Sequence, residues 1–311
     1  MDSSPVEVSV VLPTYNRADV LARSVESVLE QTFEDFELVV VDDASTDRTD
    51  AVIEQFDDDR LRYVRHDENR GAAAARNTGI REARADIVAF QDSDDVWDER
   101  KLEKQVAAFE SSSDRVGVVY TGLHRQFENV RTHVPGHGME PEKREGDIAE
   151  SILRFNFVST QAAAVRRSCF DRVGGFDDET PPLEDWELWI RISEFYEFKH
   201  VDEPLVSAYL REDSISNDSE ALVRARERIV EKHRHRFDAE TLARQYFWVG
   251  HGALKTGDTS TGRTYLRRAL KTDPRTLYLG AFALSLLGSG TYRSTYSRFK
   301  DRHAGTGTQT R

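Results

Sequence analysis

The stretch FELVVVDDASTDRTDAVIEQF, residues 36–56, contains the unit from which the fold can be predicted. Its beginning, 36–43, is rich in β-branched residues and ends in two aspartates, as expected for a buried strand that stops at a polar edge. Its end, 47–56, has apolar residues at helical spacing. The aspartates and the STD sequence between these segments supply side chains that cap the first turn of a helix. The stretch therefore predicts a strand followed directly by a helix.

The same alternation runs through the first third of the chain. Further strands are predicted at 6–13, 61–66, 85–92 and 116–123, and further helices at 18–31, 72–84 and 98–110. Alternation at this spacing predicts an α/β fold, in which a doubly wound, mainly parallel sheet carries helices on both faces. Ligands of such sheets bind beyond the carboxyl ends of the strands. The sequences PTYN, DDAS and QDSDD, which follow three of the strands, should therefore lie on one rim.

The remainder of the chain is less regular. A polar stretch with Gly and Pro, 124–150, predicts a mobile loop, and PPLEDWELWIRISEF, 181–195, predicts a helix that begins near Glu184 and Asp185. A helix at 147–156, a short element returning to the sheet at 166–176, strands at 198–210 and helices over 219–287 are also predicted. Within the last region, 242–274 resembles one tetratricopeptide-like helix pair with a glycine turn. The predicted boundaries are 1–215 for the α/β domain (nucleotide-binding segment 1–123, acceptor segment 124–215), 216–303 for a helical C-terminal appendage and 304–311 for a disordered tail.

The composition narrows the class of protein. With 56 acidic residues against 43 basic ones, the net charge is −13, which argues against a duplex nucleic-acid binder because such a protein needs a basic face. The basic residues are eight lysines and 35 arginines. An acidic, lysine-poor surface is typical of adaptation to a salty cytoplasm, and ordinary drift in composition is the alternative. The single cysteine, Cys169, excludes an internal disulfide and a Cys-type zinc site. No signal peptide or membrane-spanning run is evident, which predicts an intracellular protein that is soluble or peripheral to a membrane.

Three aspartates lie within four positions of the stretch IVAFQDSDDVWDE, 87–99. Like charges this close repel and raise each other's pKa, so the cluster indicates a cation among them. If the chain stays extended past the strand, Asp92 and Asp94 point to one side and Asp95 to the other. Hard carboxylate oxygens are typical ligands of Mg²⁺ or Mn²⁺, which keep positions open for substrate phosphates. The alternative is a solvated acidic turn in which Asp94 or Asp95 caps the next helix.

Two other stretches on this rim could meet a nucleotide. In VVVDDASTD, either Asp42 or Asp43 could accept a hydrogen bond from a base or a ribose hydroxyl, or the stretch is only a strand-to-helix turn. In NRGAAAARN, 69–77, small residues allow a ligand to approach closely. Arg70 and Arg76 there could meet phosphate or be merely solvated. No Gly-x-Gly-x-x-Gly follows the first strand, which argues against a dinucleotide oxidoreductase.

The sequence LEDWELW, 183–189, offers a general base. Such a base needs a carboxylate near the acceptor hydroxyl, with its pKa adjusted by the surroundings. At the start of a helix, the dipole favours the charged form of Asp185, whereas the neighbouring Glu184 disfavours it. Trp186 and Trp189 could stack on a sugar or fill the core.

Five motifs occur in a recognisable order. VSVVLPTYNR, VVVDDASTD, NRGAAAARNTGI, AFQDSDDVW and VGGFDDETPPLEDWELWIR have the order and spacing seen in family 2 glycosyltransferases, the inverting enzymes of the GT-A fold, and the resemblance covers 6–215. It implies a GT-A sheet, a nucleotide-sugar donor (UDP- or GDP-linked), a hydroxyl acceptor and Mg²⁺ or Mn²⁺ as cofactor. The Gln-x-x-Arg-Trp signature and the membrane spans of processive synthases are missing, which predicts the addition of one sugar per encounter.

The resemblance also implies roles for single residues. The nucleotide sugar would be bound by side chains at the rim, namely Pro13, Tyr15, Asp43, Arg76 and Asp92. Among these, Arg76 would lie near the diphosphate. Asp92 and Asp94 would form the Asp-x-Asp that places the metal on the diphosphate, with Asp95 beside it.

On the acceptor side, the resemblance implies that Asp185 is the general base. Glu184 and Trp186 beside it are the candidate acceptor-binding residues. Many family members carry a histidine near the end of the domain, in a Tyr-Arg-x-His-x-x-Ser stretch. Here the corresponding sequence is YLREDSIS, 209–216, so no histidine role is carried over.

Two other functions fit some of the pattern. A sugar nucleotidyltransferase shares the strand pattern and the metal, but it should carry a glycine-rich, basic loop after the first strand, which is not seen. A non-catalytic scaffold would have no use for QDSDD and LEDW together. Both remain alternatives to a glycosyltransferase.

The most apolar stretch is LYLGAFALSLLG, 277–288, and the sequence SGTYRSTYSRFKDR follows it. Twelve residues are too few to span a bilayer. Aromatic and basic residues next to a short apolar segment suit the headgroup region, so contact with the cytoplasmic membrane face and with a polyprenyl-linked glycan is one hypothesis. A helix that covers the tetratricopeptide-like pair is the other.

Overall fold

The structure, a computed structural model, describes residues 6–127, 130–135, 140, 143–209 and 218–295. It divides into two compact units. We call the described residues of Met1–Asp178 and Glu184–Glu212 the sheet unit, and those of Glu179–Leu183 and Asp213–Arg311 the helical unit. The predicted disordered tail, 304–311, lies outside the described residues.

The sheet unit is built on one nine-stranded mixed sheet. Its strands are β1 (Val8–Thr14), β2 (Phe36–Asp42), β3 (Leu61–Arg65), β4 (Ile87–Phe90), β5 (Val96–Trp97), β6 (Val116–Phe127), β7 (Val130–Val134), β8 (Ala163–Arg166) and β9 (Glu197–Tyr209). They follow the order β3-β2-β1-β4-β8-β6-β9-β5, and β7 pairs with β6. The first four strands in this order are mutually parallel, β8 is antiparallel to both its neighbours, and β9 is parallel to β6. The parallel region carries the three polar sequences that were predicted to share a rim.

Seven helices of the sheet unit are α1 (Leu21–Leu29), α2 (Thr49–Ile53), α3 (Ala72–Glu82), α4 (Lys101–Glu110), α5 (Ala149–Arg154), α6 (Arg167–Val173) and α7 (Glu184–Ile192). The predicted first, second, third and fourth helices are confirmed, and so is the helix that begins at Glu184. The core confirms that both faces are covered. Val10 and Leu12 of β1 belong to one apolar cluster with residues of α1 and α4. Val39 and Val41 of β2 pack with Ala75 of α3 in a second cluster.

Helix α3 approaches the sheet unusually closely, and Gly79 makes this approach possible. A Cβ at this position would lie 2.2 Å from Cγ1 of Val11, a separation that packed atoms do not tolerate. The close contact fixes α3 against β1, and with it the section of the rim that α3 contributes.

The prediction of a mobile loop at 124–150 is wrong in its first residues. Strand β6 continues through His124 to Phe127, and β7 pairs antiparallel to it. Its side chains are exposed or half-buried at His124, Arg125 and Gln126, which explains the polar sequence. Pairing with β7 and β9 supplies backbone hydrogen bonds that the sequence pattern does not reveal. The region predicted as strands at 198–210 forms the single strand β9.

The helical unit contains α8 (Ser219–Lys232), α9 (Ala239–Thr256), α10 (Thr259–Thr272) and α11 (Thr276–Ser285), followed by helical residues 289–295. The predicted helix pair is present as α9 and α10, joined by a turn in which Gly257 has φ 103°. The two helices approach each other at Gly250, where a Cβ would lie 2.9 Å from the carbonyl oxygen of Gly262. In the described region of the chain, no helix combines the length and the apolar character needed to cross a bilayer.

Candidate functional site

The carboxyl ends of β1, β2 and β4 lie side by side. Thr14 at the end of β1 is in register with Asp42 at the end of β2, and Val11 of β1 is in register with Phe90 of β4. The polar residues that follow each strand therefore share one rim, as predicted. Tyr15 at this rim is 42% exposed, whereas Pro13 is buried within β1.

On the side of the rim formed by β2, Asp43 is buried and its carboxylate accepts hydrogen bonds from three groups. It accepts hydrogen bonds from Nδ1 of His66 at 2.7 Å and from the backbone N–H groups of Arg70 and Gly71 at 3.0 and 2.7 Å. Three donors on one carboxylate offset the cost of burying its charge. Asp43 thus fixes the loop that leads into α3, and its predicted contact with a nucleotide stays a prediction.

The loops after β1 and β2 are joined by side-chain hydrogen bonds. Asn16 has φ 51° and accepts a hydrogen bond from the N–H of Thr46 at 2.7 Å, while Asp47 accepts one from the N–H of Ala18 at 3.0 Å. Ala44 also has a positive φ, 63°. Non-glycine residues in this region of φ/ψ space are strained and tend to occur at functional sites. The positive φ angles of Asn16 and Ala44 therefore indicate that these two loops belong to a candidate functional region.

The acidic stretch does not stay extended past β4, which corrects the predicted alternation of its side chains. Strand β4 ends at Phe90, and the N–H of Asp95 donates to the carbonyl oxygen of Asp92 at 3.1 Å. We call residues 92–95 the acidic turn. A turn forms here because Oγ of Ser24 donates to the carbonyl of Asp92, at 2.9 Å, and Arg23 donates to the carbonyl of Asp94, at 2.7 Å.

A cation is present beside the acidic turn, and it is Arg76. Its guanidinium donates to Oδ1 of Asp92 at 2.9 Å and to Oε1 of Glu184 at 2.8 Å. The side chain is 7% exposed, so Arg76 is not merely solvated. The guanidinium also lies 5.5 Å from the centre of the Phe176 ring. Arg76 therefore connects the acidic turn to the start of α7 through two charge-assisted hydrogen bonds.

Asp185 is half-buried in the first turn of α7. Burial raises its pKa first and the charge of Glu184 raises it further, to about 7, although hydrogen bonds from Trp186 and Asn156 and the charge of Arg76 act in the opposite direction. The backbone N–H of Trp186 donates to Oδ1 of Asp185 at 2.6 Å. A carboxyl with a pKa near neutrality is suited to removing a proton from a hydroxyl group.

Two amide side chains at this site were not identified from the sequence. The segment between α5 and β8 supplies Asn156, which acts to lower the pKa of Asp185, and Gln161, which acts to lower the pKa of Asp95. Neither residue belongs to a motif of charged or aromatic residues. Only the folded chain brings this segment to both carboxyl groups.

Both tryptophans of α7 lie in the core. Trp186 and Trp189 are 1% and 0% exposed, and their indole N–H groups donate to the carbonyls of Ile152 and Val158 at 2.7 and 2.9 Å. Of the two interpretations of these rings, the structure supports the core one. A contact of Trp186 with an acceptor stays a prediction, but its ring has no exposed face to offer a sugar.

The carboxylate oxygens of the acidic turn are suitable ligands for Mg²⁺ or Mn²⁺. Asp92 and Asp94 are only half-buried, so both side chains retain some exposed surface. The pKa of Asp95 is raised well above its ordinary value, first by burial and then by the charges of Asp92 and Asp94. Additional positive charge at the turn would relieve this repulsion.

Within the described residues, no group of three or more His, Cys, Asp or Glu side chains is arranged to hold a metal ion. A divalent cation at the acidic turn would therefore take one or two carboxylates from the protein and its other ligands from phosphate oxygens and water. This is the usual arrangement for Mg²⁺ at phosphate sites. The residues fit a metal that binds together with a phosphate-bearing ligand.

Comparison with known proteins gives results consistent with this geometry. The sequence model described as Glycosyl transferase family 2 matches residues 9–174. UDP-Glc:alpha-D-GlcNAc-diphosphoundecaprenol beta-1,3-glucosyltransferase WfgD of Escherichia coli is 41% identical over 100 residues, which are 32% of this chain and 40% of that protein. The chain spans about half the length of the curated relatives it matches, between 40% and 56% in three of them.

Solved structures share the fold. TarS of S. aureus in complex with UDP-GlcNAc superposes with a TM-score of 0.68 at 18% identity, over 95% of this chain and 92% of that one. Mannosyltransferase PcManGT from Pyrobaculum calidifontis, in complex with GDP-Man and Mn²⁺, superposes with a TM-score of 0.59 at 20% identity, over 95% of this chain and 86% of that one.

Proposed function

This chain belongs to glycosyl transferase family 2, and we propose that it transfers a sugar from a nucleotide-sugar donor to a hydroxyl group of an acceptor, with inversion at the anomeric carbon. The observation that carries the proposal is the carboxyl of Asp185, whose pKa of about 7 suits a general base. Through Glu184, Arg76 joins the start of the same helix to the acidic turn. A direct displacement on a nucleotide sugar uses a base at the acceptor and positive charge at the departing diphosphate, and Asp185 and the acidic turn offer a place for each.

The proposed reaction is one displacement. The carboxylate of Asp185 takes the proton of the acceptor hydroxyl while the oxygen of that hydroxyl forms a bond to the anomeric carbon. The bond from the anomeric carbon to the diphosphate oxygen breaks on the opposite face, and the nucleoside diphosphate leaves with the electron pair. Since no covalent sugar–protein intermediate forms, no second nucleophilic carboxylate is needed, in contrast to retaining hydrolysis.

We assign Mg²⁺ or Mn²⁺ to Asp92 and Asp94, with Asp95 beside them. Such an ion supplies positive charge that stabilises the departing diphosphate. Support comes from the half-buried carboxylates of the acidic turn and from the Mn²⁺ in the complex of PcManGT. Asp95 accepts a hydrogen bond from the N–H of Tyr209 at 3.1 Å, which holds the turn in shape.

Replacing Asp94 with asparagine is expected to abolish metal-dependent donor binding and leave the fold intact. The change removes a repulsive charge from the turn and keeps the shape of the side chain. Titration calorimetry with UDP- and GDP-linked sugars, with Mn²⁺ or with a chelator, measures the effect. Asp98→Asn, in the same loop region and outside the acidic turn, is the matched control. Donor affinity that is unchanged in the Asp94 variant, or indifferent to chelator, would contradict the metal assignment.

The donor is proposed to lie along the rim, against Pro13, Tyr15, Asp43 and Arg76, with its diphosphate at Asp92. Tyr15 supports this because its ring is exposed at the end of β1. Donors are proposed to be UDP- or GDP-linked, as in the complexes of TarS and PcManGT. Incubation with a panel of sugar nucleotides and Mn²⁺, followed by measurement of released nucleoside diphosphate, tests the activity. A nucleotidyltransferase would instead require a sugar phosphate and a nucleoside triphosphate, and a scaffold would release nothing.

The acceptor is proposed to be a polyprenyl-linked glycan at the cytoplasmic face of the membrane. The name of WfgD states a diphosphoundecaprenol-linked acceptor for that protein. In this chain, support comes from α11 and the turn after it, where Leu277, Leu279, Leu286 and Leu287 are each more than half exposed. Leucines exposed together on a short helical segment are suited to the boundary between headgroups and acyl chains. Among the aromatic and basic residues after this segment, Arg293 is exposed. The predicted headgroup contact of Tyr292 is wrong, because its side chain is only 1% exposed and its hydroxyl lies 2.9 Å from Nδ1 of His251. The residues from Tyr296 onward lie outside the described residues.

Flotation with liposomes that contain anionic lipid tests the membrane contact. We expect the full chain to float at low salt, and the double variant Leu286→Gln, Leu287→Gln to stay at the bottom of the gradient because it loses apolar surface that would enter the bilayer. These side chains are 58% and 66% exposed, so the folded state should tolerate both changes. Phe195→Gln, at a 46% exposed position of the sheet unit, is the control. Failure of the unaltered chain to float at low and at high salt would leave α11 with a structural role only.

A further inference from the structure

The acidic turn is held by residues from two other elements of the sheet unit. From α1, the guanidinium of Arg23 donates to the backbone carbonyl of Asp94 at 2.7 Å. From the end of β9, the backbone N–H of Tyr209 donates to Oδ1 of Asp95 at 3.1 Å. The first contact restrains the backbone of the turn and the second restrains a carboxylate. The shape of the turn therefore depends on both α1 and β9.

Arg23 and Tyr209 also contact each other. The guanidinium carbon of Arg23 lies 4.4 Å from the centre of the Tyr209 ring, a distance at which a cation is attracted to the face of an aromatic ring. The contacts therefore form a closed ring, which runs from Arg23 to the carbonyl of Asp94, along the chain to Asp95, across to Tyr209 and back to Arg23. Each contact in a closed ring limits the movement of the groups that make the others.

The position of the Arg23 side chain has a cost in stability. Its Nε is enclosed, and within the described residues no acceptor lies at hydrogen-bonding distance from it. A buried N–H group without an acceptor destabilises the folded state. An arginine that extended into solvent would avoid this cost. Departures from full hydrogen bonding are expected at functional sites, and the groups that Arg23 contacts belong to the acidic turn and to the strand that supports it.

We propose that Arg23 is a positioning residue for the metal site: it fixes the backbone of the acidic turn so that the carboxylates of Asp92 and Asp94 are held ready for a divalent cation. This inference rests on the proposed assignment of Mg²⁺ or Mn²⁺ to these carboxylates. Residues behind metal ligands orient them, and their loss typically costs about 10- to 100-fold in metal affinity. Arg23 and Asp94 are 71 positions apart in the sequence, so no local pattern indicates their contact.

The sign of the effect separates positioning from the charge of the side chain. Arg23 is a cation, so its charge repels a divalent cation, and removing that charge would by itself tighten metal binding. If Arg23 positions the turn, removing it weakens metal binding. The two roles predict opposite changes in one dissociation constant. Arg23→Met is the variant to use, because methionine keeps an unbranched side chain and removes the charge, the donors and the planar group.

Binding of Mn²⁺ to the full chain is measured from the electron paramagnetic resonance signal of the free ion, without nucleotide and with UDP or GDP. We expect Arg23→Met to bind Mn²⁺ about tenfold or more weakly. Arg23→Lys keeps the charge and a donor without the planar fork, so it should lose less affinity. Tyr209→Leu keeps the N–H that binds Asp95 and loses the ring. It should bind Mn²⁺ about threefold more weakly, and it should cause little further loss in the Arg23→Met background.

Arg60→Met is the matched control. Arg60 also donates to a backbone carbonyl of α1, that of Leu29 at 2.9 Å, and its guanidinium carbon lies 4.5 Å from the centre of the Phe36 ring. These contacts are of the same kind as those of Arg23, but none of them involves the acidic turn. Arg60→Met should therefore lower the melting temperature and leave the affinity for Mn²⁺ unchanged.

The outcomes distinguish the role of Arg23 from the metal assignment itself. If Arg23→Met bound Mn²⁺ as tightly as the unaltered chain, or more tightly, while Asp94→Asn lost binding, the role of Arg23 would be refuted and the metal assignment kept. If Asp94→Asn also bound Mn²⁺ normally, the metal assignment would be wrong, and this inference with it. If melting curves showed that Arg23→Met is unfolded, Arg23→Lys and Tyr209→Leu would decide, because unchanged Mn²⁺ affinity in both would overturn the proposal.

Discussion

Asp185→Asn is expected to lower turnover by about a hundredfold or more, the range that general-base assistance typically provides. The amide keeps the shape of the side chain but cannot take the proton of the acceptor. Donor and metal binding should stay nearly normal, because the acidic turn and Arg76 are unchanged. Initial rates of nucleotide release with acceptor present, together with calorimetry of donor binding, measure both effects. If the variant retained most of its turnover, another base would be required, and Glu184 would be examined first.

The pKa of about 7 adds a pH dependence to this prediction. A base must be ionised, so kcat/KM of the unaltered protein should fall as the pH drops below about 7, and the residual activity of Asp185→Asn should lack this dependence. The free energy of unfolding should fall over the pH range in which kcat/KM rises. Since folding raises the pKa of this carboxyl, its ionisation destabilises the folded state as pH rises from about 4 to 7. Asp185→Asn should therefore be more stable at pH 8, by roughly 1–3 kcal/mol, and the difference should vanish below about pH 4.

Replacing Arg76 with methionine is expected to have the largest effect on stability. Methionine fills a similar volume but leaves Glu184 buried without its guanidinium and leaves Asp92 without its partner. Breaking a buried ion pair by removing one partner costs about 3–5 kcal/mol because the remaining charge is uncompensated. Urea unfolding at pH 8 measures this loss. Activity should also fall sharply, because the contact between the acidic turn and α7 is lost.

Two further variants make the Arg76 measurement specific. Arg84→Met removes an exposed arginine whose Nε lies 3.8 Å from Oε2 of the buried Glu37. It should change stability by less than about 1 kcal/mol, because an exposed side chain contributes little to an ion pair and Arg62 still pairs with Glu37 at 3.0 Å. Adding Glu184→Gln to Arg76→Met should restore some of the lost stability, since it removes the stranded charge. If Arg76→Met were as stable as Arg84→Met, the ion pairs of Arg76 with Asp92 and Glu184 would contribute little to the free energy of unfolding.

The parallel region of the fold could be predicted because its signals are local. Strand β2 contains three consecutive valines, and the capping sequence that separates it from α2 is adjacent in the chain. Two short strands were not predicted, and the short element that was predicted to return to the sheet at 166–176 is mostly the helix α6. Strand β5 has two residues, and β8 has four residues with the sequence AAVR, which has no strong strand preference. These strands form because neighbouring strands supply their hydrogen bonds. A local stretch of sequence does not show which strands will be neighbours in the fold.

For the candidate site as well, only the residues with local sequence signals could be predicted. The acidic turn, Asp43 and the Glu184–Asp185 pair could be located from their clustered charges beside predicted elements. The bridge from Arg76 to Glu184 joins residues 108 positions apart, and no local pattern indicates it. Asn156 is an uncharged residue in an irregular segment, so its effect on the pKa of Asp185 appears only when α7 packs against that segment.

The hydrogen bonds that Asp43 accepts from the loop before α3 have a thermodynamic consequence for the proposed donor site. By accepting hydrogen bonds from His66, Arg70 and Gly71, its carboxylate fixes the beginning of the helix that carries Arg76. The conformational entropy of this loop is therefore lost when the chain folds and not when the donor binds. Binding to a rim that is already ordered leaves more of the interaction free energy available as affinity. In the proposed donor site, this section of the rim is ordered before the donor binds.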